Sequence, residues 1–395
     1  MKKQITFLFM ILLSPIILAQ EEELPTQCIN RLQTQAKAAG LPASLIMDII
    51  PRLKVLPKVI KSDQSQPEFT QTFSDYLSKR VTNTRIKQGT KLLKKHNKFL
   101  NALYRQYGVP GRYLVAFWGL ETNFGSYMGK MSTLNSLATL ACDKRRSEFF
   151  TAEFIQALKL IERESLVPEK MQGSWAGAMG HTQFMPSTYY KYAVDGDGDG
   201  KINLWFSEKD ALASSANYLH QLGWKSGERW GREISLPKGF PYEKTGLRKA
   251  RPLKEWRALG AININGVLVP ALDIESSILV PSGHRGPIFV AYNNFSIIMR
   301  WNNSKSYALA VGLLADRIIG QGPLSRSSND QKPLSTKTVY SLQKKLNRAG
   351  FDAGKPDGVI GSNTQQAIQA FQVSAGLIAD GYPGFSTLSK LPDDG

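Results

Sequence analysis

The chain has 395 residues, of which 42% are hydrophobic, and a formal net charge of +18 with two cysteines and four histidines. Such a length and apolar content bury a large core and leave room for more than one domain. Two cysteines, and four histidines without ligand spacing, exclude a zinc site of their own making, and the positive balance requires an anionic partner.

In chain order, Met1-Lys2-Lys3 precedes an apolar run over residues 5–18 that ends at Ala19. A charged start, a compact apolar stretch and a small residue at the cut are the order of a secretory signal peptide, placed at 1–19. The run is short and contains Pro15, which argues against a membrane anchor. No cysteine follows the cut to take a lipid, and no later segment is apolar enough to cross a bilayer. The expectation is a soluble periplasmic protein with no organic cofactor. Its anionic partner is then a cell-wall polymer or a membrane surface and not nucleic acid, for which no motif is present. An oxidising compartment favours one disulfide between Cys28 and Cys142, worth about 3–5 kcal/mol for so long a loop.

Apolar residues at helical spacing, such as Phe69, Phe73 and Leu77, predict helices across residues 27–110. Residues 114–120 carry no charge and lead into Glu121, after which a glycine-bearing turn follows. A buried helix with Glu121 in its last turn is predicted. Burial and the partial negative charge of a helix C-terminus both disfavour the ionised carboxylate, as a general acid near neutral pH requires. The same residues fit equally a glutamate held by an arginine in a structural ion pair.

Residues 146–165 form an amphipathic pattern through Phe149, Phe150, Phe154, Leu158 and Ile161, with Asp143, Glu148 and Glu153 expected to face solvent. Residues 171–188 are rich in glycine and aromatics, too apolar for a plain solvated loop. Short β-like runs at 278–281 and 287–290 precede a final helix at about 304–319. Linker composition follows, and then a C-terminal segment with its own hydrophobic pattern. The expected units are therefore 20–320, a linker at 321–333 and a small domain at 334–392. No repeat with a period of about 20–50 residues is visible.

Asp195-Gly-Asp197-Gly-Asp199-Gly200-Lys201-Ile202 matches the first eight positions of an EF-hand loop. Alternate carboxylates converge on a hard cation, glycine permits the sharp turn, and the Lys201 position offers its carbonyl. The twelfth position is Phe206 in place of the closing glutamate. Glu208 or Asp210 must then close the site, with Asp210 preferred. The expectation is a weaker, structural Ca2+ site, with a plain Asp-Gly turn as the alternative.

Several motifs then occur in order. They are Gly119-Leu-Glu121-Thr-Asn-Phe-Gly125, Leu137-Ala-Thr-Leu, Arg145-Arg146, Gly173-Ser-Trp-Ala-Gly-Ala-Met-Gly180, Gln183-Phe-Met-Pro-Ser187, the modified calcium loop, Asn217-Tyr218, and Trp301-Asn302-Asn-Ser304 with Tyr307. Over roughly residues 27–320 the chain resembles the lytic murein transglycosylase B family of peptidoglycan-cleaving enzymes. The resemblance implies a mainly α, lysozyme-like catalytic domain with small β elements. It also implies Glu121 as the single essential glutamate, with Ser174, Asn302, Trp301 and Tyr307 around it. Trp301 stands where the family often has tyrosine. Substrate-groove positions fall on Arg145, Arg146, Gln183, Phe184, Met185 and Tyr218, and more loosely on Tyr76. The family's calcium site falls on Asp195, Asp197, Asp199, Lys201 through its carbonyl, and Asp210. Separately, Leu342, Leu346, Gly350, Asp357-Gly358, Ala370-Phe371-Gln372 and Asp380-Gly381 resemble a three-helix peptidoglycan-binding module, whose sugar contacts are left unassigned.

A glycosidase with a single carboxylate needs its nucleophile from the substrate. In peptidoglycan the C6 hydroxyl of N-acetylmuramic acid can attack its own anomeric carbon, giving a 1,6-anhydromuramoyl end without water. Arg145 and Arg146 are expected to pair with lactyl or peptide carboxylates, or else to be an ordinary solvated basic pair. Competing readings are a hydrolytic muramidase with a second carboxylate and a non-catalytic wall-binding protein. A monomer suffices for each.

Overall fold

The computed structural model describes residues 22–64, 71–327 and 333–392. The expected signal peptide, Phe69 and the middle of the linker lie outside the described residues.

The molecule is mainly helical. Helix Gly111–Thr122 buries eight of its residues, and a helix that is apolar on every side belongs in a core. It packs along helix Lys305–Ile318 and against Glu208–Gln221, with helices Phe73–Arg80, Asn83–Lys95 and Asn97–Tyr107 closing the same cluster. A second cluster joins Thr26–Ala38, Thr133–Cys142 and Ser147–Glu164. Along Ser147–Glu164 the residues Phe150, Phe154, Leu158 and Ile161 are buried. Phe149, expected inside, lies on the flank of that stripe at 44% exposure, beneath the Arg146 guanidinium.

Serine and threonine caps fix several helix starts. Thr82, Ser132, Ser207 and Ser304 each accept the backbone N–H three residues on, at Arg85, Asn135, Asp210 and Tyr307. Each such cap stabilises its helix by about 1 kcal/mol. The Ser304 cap also sets where Tyr307 enters its helix.

A five-stranded antiparallel sheet has the order Arg251–Pro252, Glu275–Leu279, Ile288–Ala291, Gly231–Ser235, Ile262–Asn263. Ile278 pairs with Val290 and Ile234 with Ile288, and these side chains bury Trp256 in a core of their own. The strand expected at 278–281 begins and ends earlier, because Pro281 has no N–H to give a ladder.

The C-terminal module has helices Thr336–Arg348, Ser362–Ser374 and a short Phe385–Leu388 around Leu342, Leu346, Ile368 and Phe371. It contains one device twice. Buried Gln343 accepts from the N–H groups of Asp357 and Gly358 and donates to Thr364 Oγ1, while buried Gln372 accepts from Gly381 N–H and donates to Thr387 Oγ1. The chain therefore carries a degenerate repeat that its sequence does not display, since only the glutamine, the Asp-Gly turn and the threonine recur, and at unequal spacing. The module is seated on the larger unit by polar contacts. Asp380 accepts from His284 N–H, Gln369 from Lys249 Nζ and Gln365 from Lys305 Nζ, at 2.9, 2.9 and 2.6 Å.

Cys28 and Cys142 form a disulfide with a Cα–Cα distance of 5.9 Å across a separation of 114 residues. It ties the first helix to the end of Thr133–Cys142, beside Arg31, whose Nη2 donates to Ala141 O at 2.7 Å. Replacing both cysteines with serine should lower the unfolding free energy by about 3–5 kcal/mol in the chain-entropy model, read by denaturant unfolding.

Candidate active site

The site is assembled where helix Gly111–Thr122 stops. Asn123 and Phe124 adopt positive φ of 49° and 60°, and Gly125 follows at 81°, so the chain reverses at once. Glu121, one residue before the helix end, is half-buried there, less enclosed than the apolar run predicts. Its carboxylate Oε1 accepts a hydrogen bond from the Tyr307 hydroxyl. Tyr307 is itself buried in the first turn of Lys305–Ile318, held by the Ser304 cap.

The reversed chain meets the glycine-rich loop. A Cβ on Gly129 would lie 2.0 Å from Gly173 O, so the two backbones touch only because residue 129 has no side chain. Met131–Ser132 pairs antiparallel with Gln172–Gly173 beside this contact. Ser174, next in the loop, accepts from Ala178 N–H through Oγ at 3.1 Å, which closes its turn. Gln183, at φ 50°, donates from Nε2 to Met128 O and Gly180 O, both at 3.0 Å, and so ties the loop to the segment after Glu121.

Trp301 is the hub of an aromatic group. It stacks on Phe117 at 4.2 Å and meets Phe184 and Tyr218 at 5.2 and 5.4 Å. Phe117 lies four residues before Glu121, on the same helix face. Sequence reasoning missed Phe117, although that spacing was the available signal. Asn302 follows Trp301 at the end of helix Asn293–Trp301, and Met185 packs partly buried at the start of Pro186–Tyr192.

Three further candidates have partners of their own. Arg145 donates from Nε to Asp63 Oδ2 and from Nη2 to Asp63 O, at 2.9 and 2.7 Å, and Arg146 Nη1 is 3.8 Å from Asp63 Oδ1. Asp63 was not foreseen as their partner. Tyr76 is 3% exposed in the main core, with the Arg80 guanidinium over its ring. Glu153, expected at the surface, is buried and accepts from Ser187 N–H and Oγ at 2.9 and 2.7 Å. It starts helix Pro186–Tyr192 and is engaged there.

Behind Glu121, His181 holds two points of the helix end. Trp118 Nε1 donates to His181 Nδ1 at 3.0 Å, and Thr122 Oγ1 donates to His181 O at 2.7 Å. An indole only donates, so Nδ1 is unprotonated and the ring proton sits on Nε2. Thr122 Oγ1 in turn accepts from Gly125 N–H, and a Cβ on Gly125 would strike the His181 ring at 2.3 Å. Burial pushes the His181 pKa below 6.5, with Glu208 opposing. His96, across Trp118 and 3.1 Å from Glu208, is likewise lowered, chiefly by burial.

In the aspartate loop, oxygens of Asp195, Asp197 and Asp210 lie within 4.8 Å of one another. Asp210 is 1% exposed, and burial pushes its carboxyl up, while Gly200 and Gly198 amides hold the Asp195 carboxyl down. Asp199 stands outside this trio and accepts from Lys201 N–H. Glu208 turns away to Lys95 and His96. A set of converging hard oxygen donors, one of them buried, fits a hard cation.

Comparison with known proteins gives these positions a context. The family model of the transglycosylase SLT domain matches residues 25–316. The chain belongs to the SLT transglycosylase family. A peptidoglycan binding domain model matches residues 335–391 of this SLT transglycosylase. It is 31% identical over 301 residues to membrane-bound lytic murein transglycosylase B of Escherichia coli (strain K12), across 71% of this chain and 79% of the relative. It matches the crystal structure of SltB3 from Pseudomonas aeruginosa in complex with NAG-anhNAM-pentapeptide with a TM-score of 0.88 at 42% identity, covering 92% of this chain and 98% of that one. Escherichia coli Slt35 in complex with calcium matches with a TM-score of 0.66 at 29% identity, over 76% of this chain and 96% of that one. The protein is a lytic transglycosylase that cleaves peptidoglycan, with a lysozyme-like helical fold and a peptidoglycan-binding domain.

His181→Phe leaves the Trp118 indole N–H buried without its acceptor and should cost about 1–3 kcal/mol, whereas His181→Asn keeps an acceptor and should cost less. Because the folded pKa lies below 6.5, the neutral ring's contribution is complete above 6.5 and fades as pH falls through the folded value. The loss of stability between about pH 7.5 and about pH 5 should therefore be smaller in His181→Asn than in the parent, with the His96 share common to both. Denaturant unfolding at the two pH values reads both effects.

Proposed function

We propose that this transglycosylase cleaves the β-1,4 bond between N-acetylmuramic acid and N-acetylglucosamine non-hydrolytically, with Glu121 as general acid and then general base. The observation that carries the reading is the Tyr307 hydroxyl bonded to the Glu121 carboxylate at the helix end. A fixed carboxyl beside an aromatic group suits proton transfer to a sugar held on those faces.

The protonated Glu121 gives its proton to the glycosidic oxygen as the bond from that oxygen to muramic C1 breaks. The resulting carboxylate then takes the C6 hydroxyl proton as O6 bonds to C1. Atoms balance without water, and the product end is 1,6-anhydromuramic acid. Tyr307 keeps the carboxyl in one orientation through both halves. Ser174, Gln183 and Asn302 orient the N-acetyl and ring hydroxyl groups, and Trp301, Tyr218 and Met185 offer apolar faces to the sugars, with buried Phe184 packed behind Trp301 and Tyr218. The engagement of Glu153 by Ser187 supports a one-carboxylate mechanism over a hydrolytic pair. A relative, SltB3, was crystallised with both NAG-NAM-pentapeptide and NAG-anhNAM-pentapeptide.

Residues Asp195, Asp197, Asp210 and the Lys201 carbonyl, with Asp199 at the rim, hold a structural Ca2+. The ion neutralises the carboxylate cluster and takes no part in the reaction. The enzyme is exported by residues 1–19 and works in the periplasm as a monomer. No helix among the described residues is long and apolar enough to cross a membrane.

Glu121→Gln should reduce release of soluble muropeptides from sacculi by about a thousandfold or more, with an unchanged melt and unchanged sacculus binding. Parent products should be about 18 Da lighter by mass spectrometry than hydrolysis products, because no water enters. Reducing muramic ends would refute the one-carboxylate mechanism. For the metal, Ca2+ at about 100 times its Kd should stabilise the EDTA-treated protein by about 2.7 kcal/mol, and Asp210→Ala should abolish that gain.

A further inference from the structure

A cleft of about 640 Å³ lies between helix Phe73–Arg80, strand Gly231–Ser235, the end of helix Lys305–Ile318 and the first linker residues. None of the residues gathered around Glu121 lines it. Its walls carry Arg229, Arg232, Arg317 and Arg326, all half-buried, against two carboxylates. Both carboxylates are engaged. Asp316 Oδ2 accepts from Arg229 Nη2 and Trp230 Nε1, at 3.3 and 2.9 Å. Glu233 accepts from Ser325 N–H and Oγ, both at 2.8 Å.

Two of the guanidiniums keep unused capacity at Nε. Arg229 Nε and Arg232 Nε are buried without a hydrogen-bond partner among the described residues. A buried N–H left without an acceptor is costly, and a charged one more so. Leu77 and Leu313 give the cleft an apolar lining, and the turn at Asn263 and Asn265 brings amides to it. Guanidinium forks, amides and an apolar lining together describe a receptor for a short peptide with carboxylates.

We infer that this cleft binds the peptide stem of the glycan strand, with Arg232 and Arg317 pairing its carboxylates. The inference rests on the reading of peptidoglycan as substrate and assigns a part of it to a place away from the reacting sugars. The axial separation of the two places is of the order of a stem's length. Tyr307, on Glu121, and Arg317 are ten residues apart on one helix, about 15 Å along its axis. A five-residue stem extends to at most about 17 Å.

The test compares two glycans, one bearing stems and one stripped of them by an amidase, using the full-length protein and its Arg232→Gln/Arg317→Gln variant. KM for stem-bearing glycan should rise about tenfold with kcat unchanged, the scale of two lost charge pairs at half-exposed sites. Turnover of stripped glycan should not change. Equal changes on both substrates, or none on either, would overturn the inference. A second measurement needs neither cleavage nor the variant. A soluble stem pentapeptide titrated into 15N-labelled Glu121→Gln protein should shift the Arg232 and Arg317 Nε–H signals saturably. Unmoved signals at about 1 mM peptide, a weak limit of about 4 kcal/mol, would overturn it as well. A parent enzyme that cleaves neither glycan would refute the proposed activity instead, and the titration keeps that failure separate.

Discussion

The site depends on one junction, the contact between the end of helix Gly111–Thr122 and the glycine-rich loop. Two chain segments far apart in sequence must be held close enough for backbone to touch backbone. His181 does this from behind, with its ring on Trp118 and its carbonyl on Thr122. Gly129 does it from the front, because any side chain there would strike Gly173. Between these two contacts the chain reverses through three residues with positive φ. That geometry is strained for Asn123 and Phe124 and persists only because packing over-determines it.

Helix Lys305–Ile318 integrates the molecule. Its first turn presents Tyr307 to Glu121, and Lys305 beside it reaches the C-terminal module through Gln365. Its middle packs along the Glu121 helix, and its last turn carries Asp316 and Arg317 into the basic cleft. The reacting end, the seat of the binding module and the cleft are thus set by one rigid rod, because a helix transmits position with a fixed rise per residue. A stem and a sugar ring held at its two ends would be registered to each other without any moving part.

Buried polar groups mark where the fold is specified most tightly. Asp63 takes both Arg145 and Arg146, Glu153 starts a helix at Ser187, and Gln343 and Gln372 each close an Asp-Gly turn. Each is a polar side chain removed from water and paired, Asp63 and Glu153 with partners distant in sequence and the two glutamines with nearer ones. Such groups are costly when unpaired, so they select one arrangement of the elements around them.

The sequence by itself determined what is local or carried by short-range order. The helix ending near Glu121, the amphipathic stripe of Phe150, Phe154, Leu158 and Ile161, the aspartate loop and the separate C-terminal core were all legible, because periodicity, caps and turn residues act over a few positions. The resemblance of ordered motifs supplied the grouping of Glu121 with Ser174, Trp301, Asn302 and Tyr307. Only the tertiary structure decided which groups face each other. It gave Glu121 the Tyr307 hydroxyl, gave Arg145 and Arg146 the carboxylate of Asp63, buried Tyr76, and turned Glu153 inward where its charge near the start of an amphipathic helix had suggested solvent. It also gathered four arginines from three separate segments into one cleft. Pairings of that kind leave no periodic trace, since the energy that fixes them comes from desolvation and hydrogen bonding between residues tens to hundreds of positions apart.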